Sequence, residues 1–341
     1  LSAAEHSTIR SDETVVLMPA AAHLDAGGAE WVVQLHAWVY RHPGSRLRSA
    51  AIARLLKLRY GLEVTPASAR FFYPRINLLL ADNKRARTVV VDIASTRATL
   101  KPTGANGHAR GELRLPVAPA DRGAVTLPKR LVARVIFPSA DTRKIEASVE
   151  LISKTGLSVI SDIDDTVKVT HVREPRRMWE STFYKPFEPV AGMADAYRRL
   201  AARGAAFHYV SSSPWHLSEP LLEFLHADGF PLTTLTLKHM RLKDRTLLDI
   251  ARPGRETKPP QIAAILARFP ERRFILIGDS GEDDPEIYAD AFRRSPSQIQ
   301  RILIRNVTGA HLDDARFSTT FAGIDPARWA LFDDPSAIGR P

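Results

Sequence analysis

The sequence predicts two domains of different class. A smaller, mainly-β sandwich occupies residues 1–150, a doubly wound parallel α/β sheet occupies 151–310, and a C-terminal extension, 311–341, packs back on the domains. Three observations predict this. Short apolar or alternating runs separated by turn-rich pieces fill the first 150 residues. From Leu157 onward, β-branched apolar strands alternate with helical patterns, as parallel pairing through right-handed crossovers requires. Acidic clusters directly follow two of those strands, where open α/β sheets bind ligands.

In the first domain the strands fall at 31–39, 88–93, 111–115 and 131–137, with turns such as Asp25-Ala26-Gly27-Gly28 between them. That spacing suits an antiparallel sandwich. One helical interval, 47–62, repeats apolar residues every three or four positions. Its Arg46, Arg48, Arg54, Lys57 and Arg59 form a basic face. Two placements fit: packed on the sandwich with solvated charges, or resting on an anionic membrane.

The second domain opens with Leu157-Ser158-Val159-Ile160-Ser161-Asp162-Ile163-Asp164-Asp165-Thr166, a buried-type strand ending in three carboxylates. Crowded acids need a positive charge among them. A divalent cation answers that need, and hard oxygen donors suit magnesium. The arrangement suggests Asp162 as nucleophile and Asp164, two residues on, as general acid and base, with Asp165 pointing elsewhere. A second strand, 207–210, runs into Ser211-Ser212-Ser213-Pro214-Trp215-His216, a turn with the donors of a phosphate cradle. A third, 274–277, leads to Gly278-Asp279-Ser280-Gly281-Glu282-Asp283-Asp284-Pro285. Between them Lys258 opens a helix, placed to neutralise a phosphoryl oxygen and the attacking carboxylate. Helices are expected at 193–203, 217–228, 259–268 and 285–294, and a further strand at 302–304.

The order of these motifs resembles the haloacid dehalogenase superfamily, and their wording resembles the catalytic domain of the actin-patch-type phosphatidate phosphatases, over roughly residues 155 to 310. The resemblance implies a HAD-like fold and hydrolysis of phosphomonoesters through an aspartyl-phosphate. It implies Ser211 as phosphate ligand with help from Ser212, and Lys258 as the charge-stabilising lysine. It further implies Mg2+ held by Asp162, the backbone carbonyl of Asp164 and Asp279, with Asp284, or alternatively Asp283, as the last acid. Phosphatidate-type lipid, converted to diacylglycerol, is the implied substrate. The alternatives are a phosphatase for a soluble sugar or nucleotide phosphate, and an anionic-surface binding module with a vestigial phosphate site. Trp215 and His216 are candidates to line the substrate entrance, with a structural role for Trp215 equally open. Trp179, Phe183, Tyr184 and Phe187 form either a lip over the site or a satellite core.

Composition narrows the classes. The chain has no cysteine, so disulfides and cysteine-phosphatase chemistry are excluded. No run approaches the ~18 apolar residues of a membrane-spanning helix. A net charge of +10 and pI of about 10.0 point to an acidic partner, here an anionic phospholipid or membrane surface bound peripherally. Nucleic acid is not expected, because aromatic platforms are sparse among the basic runs. The opening Leu1-Ser2-Ala3-Ala4 lacks Met and is read as the trace of a cleaved bacterial export signal, giving a periplasmic or peripheral membrane location. A trimmed segment of a cytoplasmic protein is the alternative.

Overall fold

The computed structural model describes residues 4–43, 46–117, 129–239 and 254–339. The chain forms two compact units. One joins the residues up to Arg48 with Asn77–Lys154, and the other joins Ser49–Ile76 with the chain from Thr155 on.

Among the described residues the first unit contains nine strands: β1 (Thr14–Leu17), β2 (Ala20–Leu24), β3 (Glu30–Arg41), β4 (Asp82–Asn83), β5 (Val90–Ile93), β6 (Thr96–Thr99), β7 (His108–Pro116), β8 (Lys129–Val135) and β9 (Glu146–Ile152). All nine join one hydrogen-bonded sheet, in the order β1-β3-β2-β9-β8-β5-β6, with β4 and β7 also paired to β3. The twelve-residue β3 holds it together. One half pairs with β1, the other with β2, and β7 runs antiparallel along nearly its full length. The inward residues Val33, Leu35, Ala37 and Val39 alternate along β3 and meet Val91, Ile93, Leu113 and Val149 in one core. The expected purely antiparallel pattern is corrected at one place, since β2 and β9 pair in parallel.

The helical interval does not stay with this sheet. Helices α1 (Arg46–Tyr60) and α2 (Pro66–Leu79) form a hairpin whose residues Ser49–Ile76 cluster with the second unit. Arg75 donates to the carbonyls of Thr182 (2.8 Å) and Lys185 (2.7 Å), and Phe72 packs on Tyr184 with ring centroids 4.9 Å apart. The three-to-four spacing of apolar residues in α1 is legible in the sequence, but periodicity does not say which core the buried face meets. A domain running continuously over 1–150 is therefore interrupted at 49–76.

Among the described residues the second unit carries a six-stranded parallel sheet: β10 (Leu157–Ser161), β11 (Ala206–Pro214), β12 (Thr234–Lys238), β13 (Arg273–Asp279), β14 (Ile299–Arg305) and β15 (Trp329–Phe332). Its helices are α3 (Pro175–Trp179), α4 (Met193–Ala202), α5 (Ser218–Ala227), α6 (Lys258–Arg268), α7 (Asp284–Arg294) and α8 (Ala315–Thr320). The spatial order β12-β11-β10-β13-β14-β15 is that of a doubly wound sheet, reversing direction between β10 and β13. Ligands bind at that reversal. The extension after residue 310 does more than pack on a surface. Its β15 pairs with β14 as the sixth strand, and Trp329 stacks on Phe321 at 4.1 Å. A further basic run in the sequence, Lys238-His239-Met240-Arg241-Leu242-Lys243-Asp244-Arg245, lies outside the described residues from Met240 on.

Candidate active site

Asp162 leaves β10 at the switch point, and its N–H donates to the carbonyl of Ile277 at 2.9 Å, so the ladder with β13 extends to the nucleophile candidate itself. Asp279 ends β13 beside it, and Lys258 opens α6, where Pro259 and Pro260 suit a first turn that has no use for those N–H groups. Lys258 Nζ lies 2.9 Å from Asp162 Oδ1, 2.6 Å from Asp284 Oδ1 and 3.4 Å from Glu282 Oε2. Lys258 is 1% exposed and Asp162, Asp279 and Asp284 are 0%, while Glu282 is partly exposed. Burial works against the ammonium of Lys258, yet Asp162, Asp284 and Glu282 hold its pKa well above the usual range. Burial pushes Asp162 up, Lys258 pulls it back, and the neighbouring acids push it up again. Asp279 and Glu282 are raised by burial and by the same acids. Among the described residues, one ammonium thus faces four carboxylates.

A divalent cation fits that imbalance. Asp162, Asp279 and Glu282 each offer an oxygen within 4.8 Å of one another. Asp162 Oδ2 and Asp279 Oδ2 are buried with no hydrogen-bond partner among the described residues, a costly state unless a cation takes them up. The set differs from the sequence expectation in its last acid. Asp284 stands on Lys258, and its Oδ2 accepts the N–H of Asp279 at 3.3 Å. Asp283 is partly exposed, 3.9 Å from Arg255. Glu282, which sequence reasoning passed over, takes the third place.

Asp164 forms a second cluster. Its Oδ1 accepts from Thr170 Oγ1 (2.9 Å) and lies 2.8 Å from Lys168 Nζ, while Oδ2 accepts from Ser211 Oγ (3.0 Å) and Ser213 Oγ (2.8 Å). Burial would raise its pKa, but Lys168, with Ser213 and Thr170, holds it down to about 2. Since its carboxylate is engaged here, Asp164 has only its backbone carbonyl left to offer a cation. Lys168 is 1% exposed and sits 4.9 Å over the Phe187 ring, which also carries the Arg75 guanidinium at 3.8 Å. The sequence carried a signal for it, a lysine between Val167 and Val169 just behind the acids. Asp165 does point elsewhere. At φ 55°, a left-handed conformation uncommon outside glycine, its carboxylate accepts the N–H groups of Thr170, His171 and Val172 at 2.7–2.8 Å.

Ser211 and Ser212 belong to the end of β11 rather than to a free turn. Ser211 is spent on Asp164 and on the N–H of Ser213. Ser212 Oγ is buried without a hydrogen-bond partner among the described residues, and it lines a cleft with Asp164, Thr170, Thr182 and Glu282. Trp215 and His216 do not line that cleft; Ser213 and Leu217 do. The chain turns inward after Pro214 in the short 3-10 turn Trp215–Leu217, leaving the two side chains 2% and 6% exposed. The indole lies 5.8 Å from the His239 ring, and burial together with His239 pushes His216 down to about 4. In the aromatic group, Trp179, Phe183 and Tyr184 are buried and Trp179 stacks on Phe183 at 4.9 Å, which is a satellite core.

Arg316 on α8 is a further residue that sequence reasoning missed. It donates to the carbonyls of Ser280 and Glu282 at 2.5 Å each and forks onto the Glu286 carboxylate at 2.7–2.8 Å. It braces the loop that carries Asp279 and Glu282. Beside that loop opens a cavity of about 540 Å³ whose walls include Arg173, Ser280, Glu282, Thr308 and Arg316.

Residues 157–306 match the family described as "Phosphatidate phosphatase APP1, catalytic domain". The chain is 35% identical over 165 residues to an uncharacterized protein of Schizosaccharomyces pombe, covering 47% of this chain and 27% of that protein. It is 35% identical over 158 residues to Phosphatidate phosphatase APP1 of Saccharomyces cerevisiae, covering 45% and 26%. The chain thus spans about a quarter of the length of these curated relatives. A solved phosphoserine phosphatase in apo form aligns with 43% of this chain and 85% of its own at 11% identity and a TM-score of 0.29, too remote to carry weight. The motif residues discussed above, from Asp162 to Asp284, all fall inside residues 157–306, the segment that matches the APP1 phosphatidate phosphatase catalytic-domain family, and that segment carries strands β10 to β14 of the doubly wound parallel sheet.

Proposed function

We propose that this protein is a magnesium-dependent phosphatase that hydrolyses phosphomonoesters through an aspartyl-phosphate on Asp162, with phosphatidate-type lipid phosphate as substrate and diacylglycerol as product. The observation that carries the reading is the buried Asp162 carboxylate. It stands between an ammonium at 2.9 Å and a group of acids with unpaired oxygens, a setting suited to phosphoryl transfer, where positioning and charge neutralisation dominate. The lipid substrate rests on the family match and on the yeast relative's name.

Asp162, Asp279 and Glu282, with the Asp164 carbonyl, would hold Mg2+. When bound, the cation neutralises charge on the transferring phosphoryl group. Lys258 stabilises the same charge and keeps the nucleophile oriented. Asp162 attacks phosphorus, the ester P–O bond breaks, and Asp164 gives a proton to the departing alkoxide. Asp164 starts ionised, near 2. The arriving phosphoryl charge raises its pKa, as does transfer of the Ser211 and Ser213 hydroxyls from Asp164 to phosphoryl oxygens, so Asp164 takes up a proton from solvent as substrate binds and holds it for the alkoxide. Ser212 Oγ adds a donor. In the second half, Asp164 takes a proton from water as it attacks phosphorus, the Asp162–phosphorus bond breaks, and inorganic phosphate leaves.

The test is phosphate release from dispersed phosphatidate and from a soluble aryl phosphate, with magnesium and with chelator, in the parent and in Asp162→Asn. Magnesium-dependent release lost in the variant is expected, with phosphatidate preferred. Release unaffected by the substitution would overturn the nucleophile, and release from the aryl phosphate alone would overturn the lipid substrate.

A further inference from the structure

We propose that the outward face of α1 docks on an anionic lipid surface. This deepens the lipid-phosphatase reading and rests on it only for the choice of partner. The helix is apolar on two faces. Ile52 and Leu56 are buried, whereas Leu47 is 81% exposed, Leu58 77% and Leu55 43%. At ~100° per residue, Leu47, Ala51, Leu55 and Leu58 fall within about 80° of one another, a single outward stripe. Four of the six large exposed hydrophobics among the described residues lie on this hairpin, Tyr73 of α2 being the fourth. A solvated helix has no reason to gather leucines on its water side.

Charge gives the stripe its partner. Arg48 and Arg59 flank it on one side, Arg46 and Lys57 on the other, and Arg54 lies beside Leu58 on the face itself. Across residues 46–79 there are seven Lys or Arg and a single acid, Glu63, which pairs with Lys57 at 2.6 Å. Leucines between long basic side chains suit the boundary of headgroups and acyl chains, where the stems follow the apolar layer and the charges meet lipid phosphate. A nucleic acid would call for aromatic stacking on that face instead.

The hairpin is also tied to the site. Arg75 holds the carbonyls of Thr182 and Lys185, Arg176 Nε donates to the Tyr60 carbonyl at 3.0 Å, and Thr182 lines the cleft with Asp164 and Ser212. The docking face is therefore carried on the element that braces the cleft wall.

The experiment is flotation with vesicles of phosphatidylcholine alone and of equimolar phosphatidylcholine and phosphatidylglycerol. It compares the parent, Leu55→Ser/Leu58→Ser, which keeps every charge, and Arg54→Gln/Arg59→Gln, which keeps the leucines. Circular dichroism checks that each variant retains its helices. The parent is expected to float only with the anionic vesicles and to be released by salt, with each double variant binding at least about tenfold less. Folded variants that bind like the parent, parent binding to neutral vesicles equally well, or retention on a DNA duplex but not on vesicles would each overturn the proposal. Asp162→Asn is floated in parallel. Its binding is expected to equal the parent's, so docking is read without turnover, and failure of the phosphatase reading leaves this result standing.

Discussion

Gly278→Ala probes how tightly the site is built. Gly278 has no side chain beside Asp284; a Cβ there would stand 2.3 Å from Asp284 Oδ2 and 2.7 Å from its Cβ. Ordinary contact begins at 3.4 Å, so the carboxylate has to retreat by about 1 Å. It has no free path. Oδ1 is 2.6 Å from Lys258 Nζ, Oδ2 accepts the Asp279 N–H, and the residue is fully buried. Retreat therefore stretches the ion pair and shifts Lys258 against Asp162. Overpacking of this kind costs about 1–3 kcal/mol, and a displacement of ~1 Å among reacting groups costs up to about a hundredfold in rate. The expected outcome is a folded variant with a lower melting temperature and kcat on a soluble aryl phosphate reduced about 10- to 100-fold. Activity and stability within about twofold of the parent, expressed as free energies, would refute the reasoning that Asp284 and Lys258 fix the nucleophile.

Arg316→Ala removes the donors holding the carbonyls of Ser280 and Glu282, so a calorimetric titration should show weaker Mg2+ binding while the melt changes little. Asp279→Asn should shrink the rise in melting temperature that Mg2+ gives the parent, because one of the buried oxygens awaiting a cation loses its charge. Asp165→Ala strips three N–H groups of their acceptor and should cost about 2 kcal/mol or more in denaturant unfolding. His208 supplies a pH test. Burial, then Arg272 and Arg268, push it down from 6.5 to about 3, so the unfolded chain takes the proton first. Its stabilising contribution is complete above 6.5 and fades as pH falls towards 3, by up to about 1.4 kcal/mol per unit. His208→Phe should flatten that slope in urea midpoints measured between those limits.

The chemistry was legible because it is local. Asp162, Asp164 and Asp279 each follow an apolar strand within a few residues, and strand ends are where a parallel sheet exposes ligand groups. What the sequence hid depends on direction or distance. Glu282, Asp283 and Asp284 are adjacent in sequence, and only the turn through Gly281, whose N–H donates to Asp279 Oδ1 at 2.6 Å, aims Glu282 at the nucleophile and Asp284 at Lys258. Arg316 reaches its loop across more than thirty positions. Helix α2 was missed because Pro74 lies inside it, a residue that normally argues against a helix. In the sheet of the first unit, β2 reads Ala-Ala-Ala-His-Leu, too weak in β-branched residues to stand out, and its parallel partner β9 lies far along the chain.

The most direct test of the central claim is to quench a reaction of the parent with phosphatidate and magnesium in acid and to map phosphoryl adducts by peptide mass spectrometry. The account predicts one acid-stable, alkali-labile phosphoryl group on the peptide bearing Asp162, absent from Asp162→Asn and from the chelated enzyme. Turnover with no adduct at Asp162, or an adduct on any other residue, would contradict it.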